Sequence, residues 1–193
     1  GETAKATLVL HNNELDKDFI AELLMQQNDK GDWQIKKISN LADFIVQLDA
    51  AKRAKQALLN KPVMDRLNKA LQATSERLTL NKDSNKIGSE EKATLTATIM
   101  AKNMSNVAIN RMYYDVTVLN DKGEQLYSYP EHYQGSIAPG QAVELTTSKK
   151  LNSMLPDDQK LMNLDITKET VKIQVTYIAF DNGEVISPKG LIE

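Results

Sequence analysis

The spacing of apolar residues changes once along this chain, near residue 90, and that change constrains the fold more than any composition figure. Before it, Leu41, Phe44, Ile45 and Leu48 recur at the 3.6-residue period of a helix face. After it, Leu95, Ala97, Ile99 and Ala101, then Met112, Tyr114, Val116 and Val118, recur at the two-residue period of a half-buried strand. No single element type satisfies both periods. The chain is therefore expected to form an α+β unit over residues 1–80, a linker over 81–91 and an all-β unit over 92–193. Its 193 residues allow each unit a modest core of its own.

In the first unit, residues 4–11, 18–27 and 33–38 read as a three-stranded antiparallel meander, the last two strands joined by the turn-forming run Asn28-Asp29-Lys30-Gly31-Asp32. Ser39 or Asn40 is expected to cap a helix carrying Leu41, Phe44, Ile45, Leu48, Ala51, Leu58 and Leu59 on its inner face. Pro62 suits the first turn of a second helix, with Val63, Met64, Leu67, Ala70, Leu71 and Leu78 as its stripe, running to about Leu80. The tract 81–91 is polar and turn-rich. Asp83, Asn85 and Gly88 imitate a calcium loop, but Ile87 and Thr94 stand where an oxygen ligand and a bidentate Glu are needed, so it reads as a solvated linker.

The run from Gly31 through Trp33, Ile35 and Ile38 to Leu41 resembles the end of curled, NTF2-like bacterial domains. That resemblance implies that Trp33 packs in the core against helices; separately, a unit that opens directly on a strand is expected to have its first helices upstream.

The second unit repeats strand and turn signals. Long alternating stretches over 92–103 and 109–119 flank a polar turn, and Asn120-Asp121-Lys122-Gly123 reads as a hairpin in which Gly123 takes positive φ. Ala138-Pro139-Gly140-Gln141 places Pro and Gly centrally in a type II turn, and strands follow at 143–147, at 171–179 and near Val185. Six or seven short strands in a unit of this size favour a sandwich, which leaves no apolar sheet face wet. The runs Lys102-Asn103-Met104-Ser105, Asp115 to Gly123 and Ile137 to Gln141 resemble FxLYD-type immunoglobulin-like modules of bacterial envelope proteins, although Val116, Val118, Leu119 and Asn120 replace the name-giving residues. The resemblance implies an immunoglobulin-like β-sandwich that serves as an exported interaction or spacer module without catalysis.

Chemistry-bearing patterns are sparse. With no cysteine there is no disulfide, thiolate metal site or cysteine nucleophile. The two histidines, His11 and His132, fall in different units, with neither a Gly-x-Ser-x-Gly elbow nor a His-Glu-x-x-His pair. Asp16 with Asp18, Glu90 with Glu91 and Asp157 with Asp158 lie in turn-like sequence and read as solubilising charge. Met100, Met104 and Met112 lack the histidine partners of a copper site and read as packing. The scattered glycines make no phosphate loop, and 24 basic against 26 acidic side chains create no field for nucleic acid. The expectation is a non-enzyme with no catalytic residue, metal or cofactor.

One local concentration of aromatic residues remains. Tyr127, Tyr129, His132 and Tyr133 are the candidate binding residues, since amphipathic rings can grip a peptide or glycan. The competing reading places Tyr127 and Tyr129 on one face of a strand, with Tyr133 covering the sandwich edge. Gly1-Glu2-Thr3-Ala4-Lys5 is not a signal peptide and no apolar run reaches the ~20 residues of a membrane span. The functional expectation is a periplasmic or cell-envelope scaffolding protein, anchored through a segment upstream of Gly1, that contacts a protein partner through its sandwich. The alternative is a small-ligand binder with an apolar pocket near Trp33 in the first unit.

Overall fold

The structure, a computed structural model, describes residues 2–82 and 92–190. It is mostly β, with antiparallel sheets and two α-helices, an α+β architecture. Its contacts divide the chain into one unit of residues 1–61 with 189–193 and another of residues 62–188.

The first unit contains the expected meander: β1 (Thr3–Asn12), β2 (Lys17–Gln27) and β3 (Trp33–Ile38), in spatial order β1-β2-β3. Pairing puts Ala4, Ala6, Leu8 and Leu10 of β1, Phe19, Ala21, Leu23 and Met25 of β2, and Ile35 and Ile38 of β3 on one apolar face. The first part of helix α1 (Leu41–Ala70) packs there, with Phe44 edge-on to Phe19 at 5.9 Å between ring centroids and Ala51 buried. Asn40 and Ser39 do not act as the expected side-chain cap. Asn40 Nδ2 donates to the Ile20 carbonyl at 2.9 Å and its Oδ1 accepts from Glu22 N–H at 2.8 Å, while Ser39 Oγ donates to the Glu22 carbonyl at 3.0 Å. These bonds stitch the helix entry to β2, and the Asn40 carbonyl accepts the first helical bond from Phe44 N–H.

The expected second helix is absent. Helix α1 passes through Pro62 to Ala70, and residues 71–82 form β4 (Leu71–Lys82), which pairs antiparallel with β5 (Lys92–Asn103). The misreading has a physical cause. A register shift between Ser75 and Arg77 inserts an extra residue, so the inward set Leu71 and Ala73 changes phase to Leu78 and Leu80. Leu71 to Leu78 is then a seven-residue step, which imitates two helical turns. The calcium-loop positions Asp83, Asn85 and Gly88 lie outside the described residues.

The remaining elements of the second unit are β6 (Ile109–Leu119), β7 (Gln125–Ile137), β8 (Ala142–Asn152), the short helix α2 (Pro156–Met162), a 3-10 turn (Ile166–Lys168), β9 (Thr170–Phe180) and β10 (Val185–Ile186). They form two sheets, β4-β5-β8 and β10-β9-β6-β7. The alternation read from sequence is the alternation of burial. Leu95, Ala97, Ile99 and Ala101 from one sheet meet Met112, Tyr114, Val116 and Val118 from the other in a single buried cluster, joined by Leu67, Leu71, Leu161 and Ile178. Gly123 and Gly140 both adopt positive φ (78° and 75°), as their turns require.

Candidate interaction surface

The four candidate residues all lie on β7, which runs from Gln125 to Ile137, and they do not share a face. Tyr129 is 3 % exposed and belongs to the core, and Tyr127 and Tyr133 are half-buried against it. His132 points the other way, into solvent. Period-two geometry decides this, because residues 127, 129 and 133 differ by even steps while residue 132 is offset by one. Tyr133 lies down over Gly135, where an added Cβ would collide with the tyrosine hydroxyl oxygen.

The inward phenols are held neutral. Burial, helped by Glu131 and Tyr129, pushes Tyr114 up to about 12. Tyr127 also rises to about 12, through burial first and then its hydrogen bond to Asp158. Tyr129 is raised by burial, an effect the nearby Thr147 hydroxyl partly offsets, although these two buried oxygens close no hydrogen bond of standard geometry. None of these groups is poised to act as a phenolate base at neutral pH.

Asp158 corrects the reading of the acidic pairs as solvated charge. It is buried, its Oδ1 accepting from the Tyr127 hydroxyl at 2.9 Å and its Oδ2 from Asn152 N–H at 2.9 Å, so it pins α2 to β7 and β8. Asp157 beside it is exposed and pairs with Lys160. Sequence reasoning missed Asn103 as well. Fully buried, it donates through Nδ2 to the carbonyls of Val107 (2.9 Å) and Ile137 (2.8 Å), and accepts through Oδ1 from Ser105 N–H and Oγ. Its position at the end of an alternating strand, in phase with Ala101, was the available signal.

On the outer face of the four-stranded sheet, three rings line up across three strands. Tyr113 on β6 is opposite His132 on β7 and Tyr177 on β9, with ring centroids 6.0 Å and 5.0 Å away. Tyr113 is 41 % exposed. Sequence spacing could not find this row, because its members come from three strands.

Trp33, expected in the core, is 42 % exposed. It opens the edge strand β3, opposite Gln27. An apolar cleft of the first unit lies at the other end of the sheet, lined by Leu15, Asp16, Lys17, Ala51, Ala54 and Leu58. Among the described residues, no group of three or more His, Cys, Asp or Glu could hold a metal, and no helix is long and apolar enough to cross a membrane.

No protein-family model and no curated protein matches the chain. Among solved structures, it is similar at 15 % identity to a structural-genomics target, SoR45, over 66 % of this chain and 89 % of that one, with a TM-score of 0.35. A putative ApaA protein from Bordetella pertussis matches at 14 % identity over 61 % and 86 %, with a TM-score of 0.32. The trimeric lipoprotein SadB of Salmonella enterica matches at 9 % identity over 73 % and 80 %, with a TM-score of 0.34. Likeness at this level assigns the chain to no family; its class is that of a mostly β, α+β protein.

Proposed function

We propose that this protein is a non-enzymatic binding or scaffolding module of the cell envelope, contacting a protein partner through its two-sheet unit. The observation that carries the reading is the outer-face row of His132, Tyr113 and the half-buried Tyr177, with His132 standing on β7, a terminal strand. Exposed aromatic rings on a rigid sheet supply large contact area at low entropic cost, and a terminal strand offers main-chain donors and acceptors. In sequence order, the seven strands of this unit divide between two antiparallel sheets. The first, second and fifth make one sheet, and the third, fourth, sixth and seventh make the other. That order supports reading the unit as an immunoglobulin-like interaction module. The envelope location rests on the sequence resemblance.

The reading assigns binding to the outer rings, with His132 retained from the sequence candidates and Tyr127, Tyr129 and Tyr133 supporting the strand from within. The experiment is in-cell crosslinking and co-purification from envelope fractions, followed by binding of the purified partner to wild type and to a Tyr113→Ala, His132→Ala, Tyr177→Ala variant of native circular dichroism. Loss of direct binding in the variant is the expected result. Unchanged binding, or a protein found only in the cytosolic fraction, would refute it.

A further inference from the structure

We propose that β1 is a docking edge for a second copy of this chain, joining two three-stranded sheets into one across a twofold axis at Thr7. The two edges of the sheet differ. β3 has six residues, a register shift and adjacent Lys36 and Lys37, features that blunt an edge against pairing. β1 has ten residues, pairs with β2 in unbroken register from Thr3 to Asn12, and carries only one lysine, Lys5. Among the described residues its other side pairs with no strand.

The occupant follows from self-complementarity. In an antiparallel pairing centred on Thr7, Ala4 faces Leu10 of the second copy and Ala6 faces its Leu8, so that each large apolar side chain meets a small one. On the opposite face Lys5 meets Val9 and Thr3 meets His11, so no like charges oppose each other. Centring on Leu8 instead would set Lys5 against His11 and lose the size match.

The β1 side of the sheet also keeps apolar side chains open. Leu8 (43 %) and Leu10 (41 %) stay exposed on the apolar face at this edge, and a long apolar edge strand is a template for pairing. A twofold axis perpendicular to the sheet would turn both apolar faces to the same side, bringing Leu8 and Leu10 against Ala6 and Ala4 of the second copy.

The chain has no cysteine, so single-cysteine variants report cleanly. Wild type should sediment as a concentration-dependent dimer. Opposed residues in an antiparallel pair stand about 4.5–5.5 Å apart at Cα, within reach of a disulfide, so oxidised Thr7→Cys should form a covalent dimer. Lys5→Cys, on the same strand, would be displaced from its copy by roughly 13 Å and should crosslink more than ~10-fold more slowly. Leu8→Asp with Leu10→Asp should give a monomer of unchanged circular dichroism; if that variant misfolds, the two cysteine rates decide alone. A monomeric wild type overturns the proposal. So does equal crosslinking at residues 5 and 7, or a dimer that the folded double-Asp variant leaves intact, either of which would place the contact elsewhere, such as the β3 edge.

Discussion

Asn103 shows how a single buried amide can hold a turn. Its four hydrogen bonds tie the end of β5 to Ser105, Val107 and the last carbonyl of β7. Asn103→Ala would strand the Val107 and Ile137 carbonyls and should cost about 2–4 kcal/mol, read as a lower urea midpoint at constant slope. Tyr127→Phe removes one of the two bonds accepted by buried Asp158 and should cost about 1–2 kcal/mol in the same assay. The phenols also predict a pH dependence. Unfolded tyrosines ionise near 10, whereas Tyr114 and Tyr127 do so at about 12 in the fold. Their contribution is intact below pH 10, and stability should fall between about pH 10 and 12, where the unfolded chain releases protons the folded one keeps. Urea midpoints across that range check this, and Tyr127→Phe should make the decline shallower.

Elements were legible wherever period and burial agreed. Strands β1, β2, β5 and β6 follow the alternation of their sequences, since one face of each is apolar throughout, whereas in β3 a register shift separates Ile35 from Ile38. β4 was illegible because its bulge converts a period of two into an apparent seven-residue step. Pro62 added to the error. It reads as a helix start, yet it sits inside α1, where the missing N–H forgoes the bond to the Leu58 carbonyl. The two parts of α1 serve different cores, which gives a contrast to measure. Leu67, fully buried in the second unit, should cost about 2–5 kcal/mol on substitution by Ala. Leu58, 70 % exposed, should cost no more than about 0.5 kcal/mol. Equal losses in urea unfolding would refute this assignment of the helix faces.

For the molecule as a whole, the units differ in how much they bury. The core of the first is small, chiefly Phe19, Ala21, Leu23 and Ala51, whereas the second closes two sheets over one large cluster. Calorimetry of the whole chain should therefore resolve two transitions, the first unit melting at the lower temperature, and a 62–188 fragment should reproduce the upper one. A single transition lost on that truncation would show that the units fold as one.

Local interactions are written in the sequence. Its periods determined strand faces, its Pro-Gly and Asp-Lys-Gly signals determined turns, and its lack of cysteine excluded thiol chemistry. Tertiary structure decided what depends on residues far apart in the chain. It placed β4 by pairing it with β5, buried Asp158 by bringing Tyr127 over it, and left Trp33 outside on the edge strand β3. The same holds for the candidate surface. Sequence grouped the β7 aromatics by proximity along the chain, but a strand sends neighbours to opposite faces, so the outer-face row is shared by Tyr113, His132 and Tyr177 from three strands.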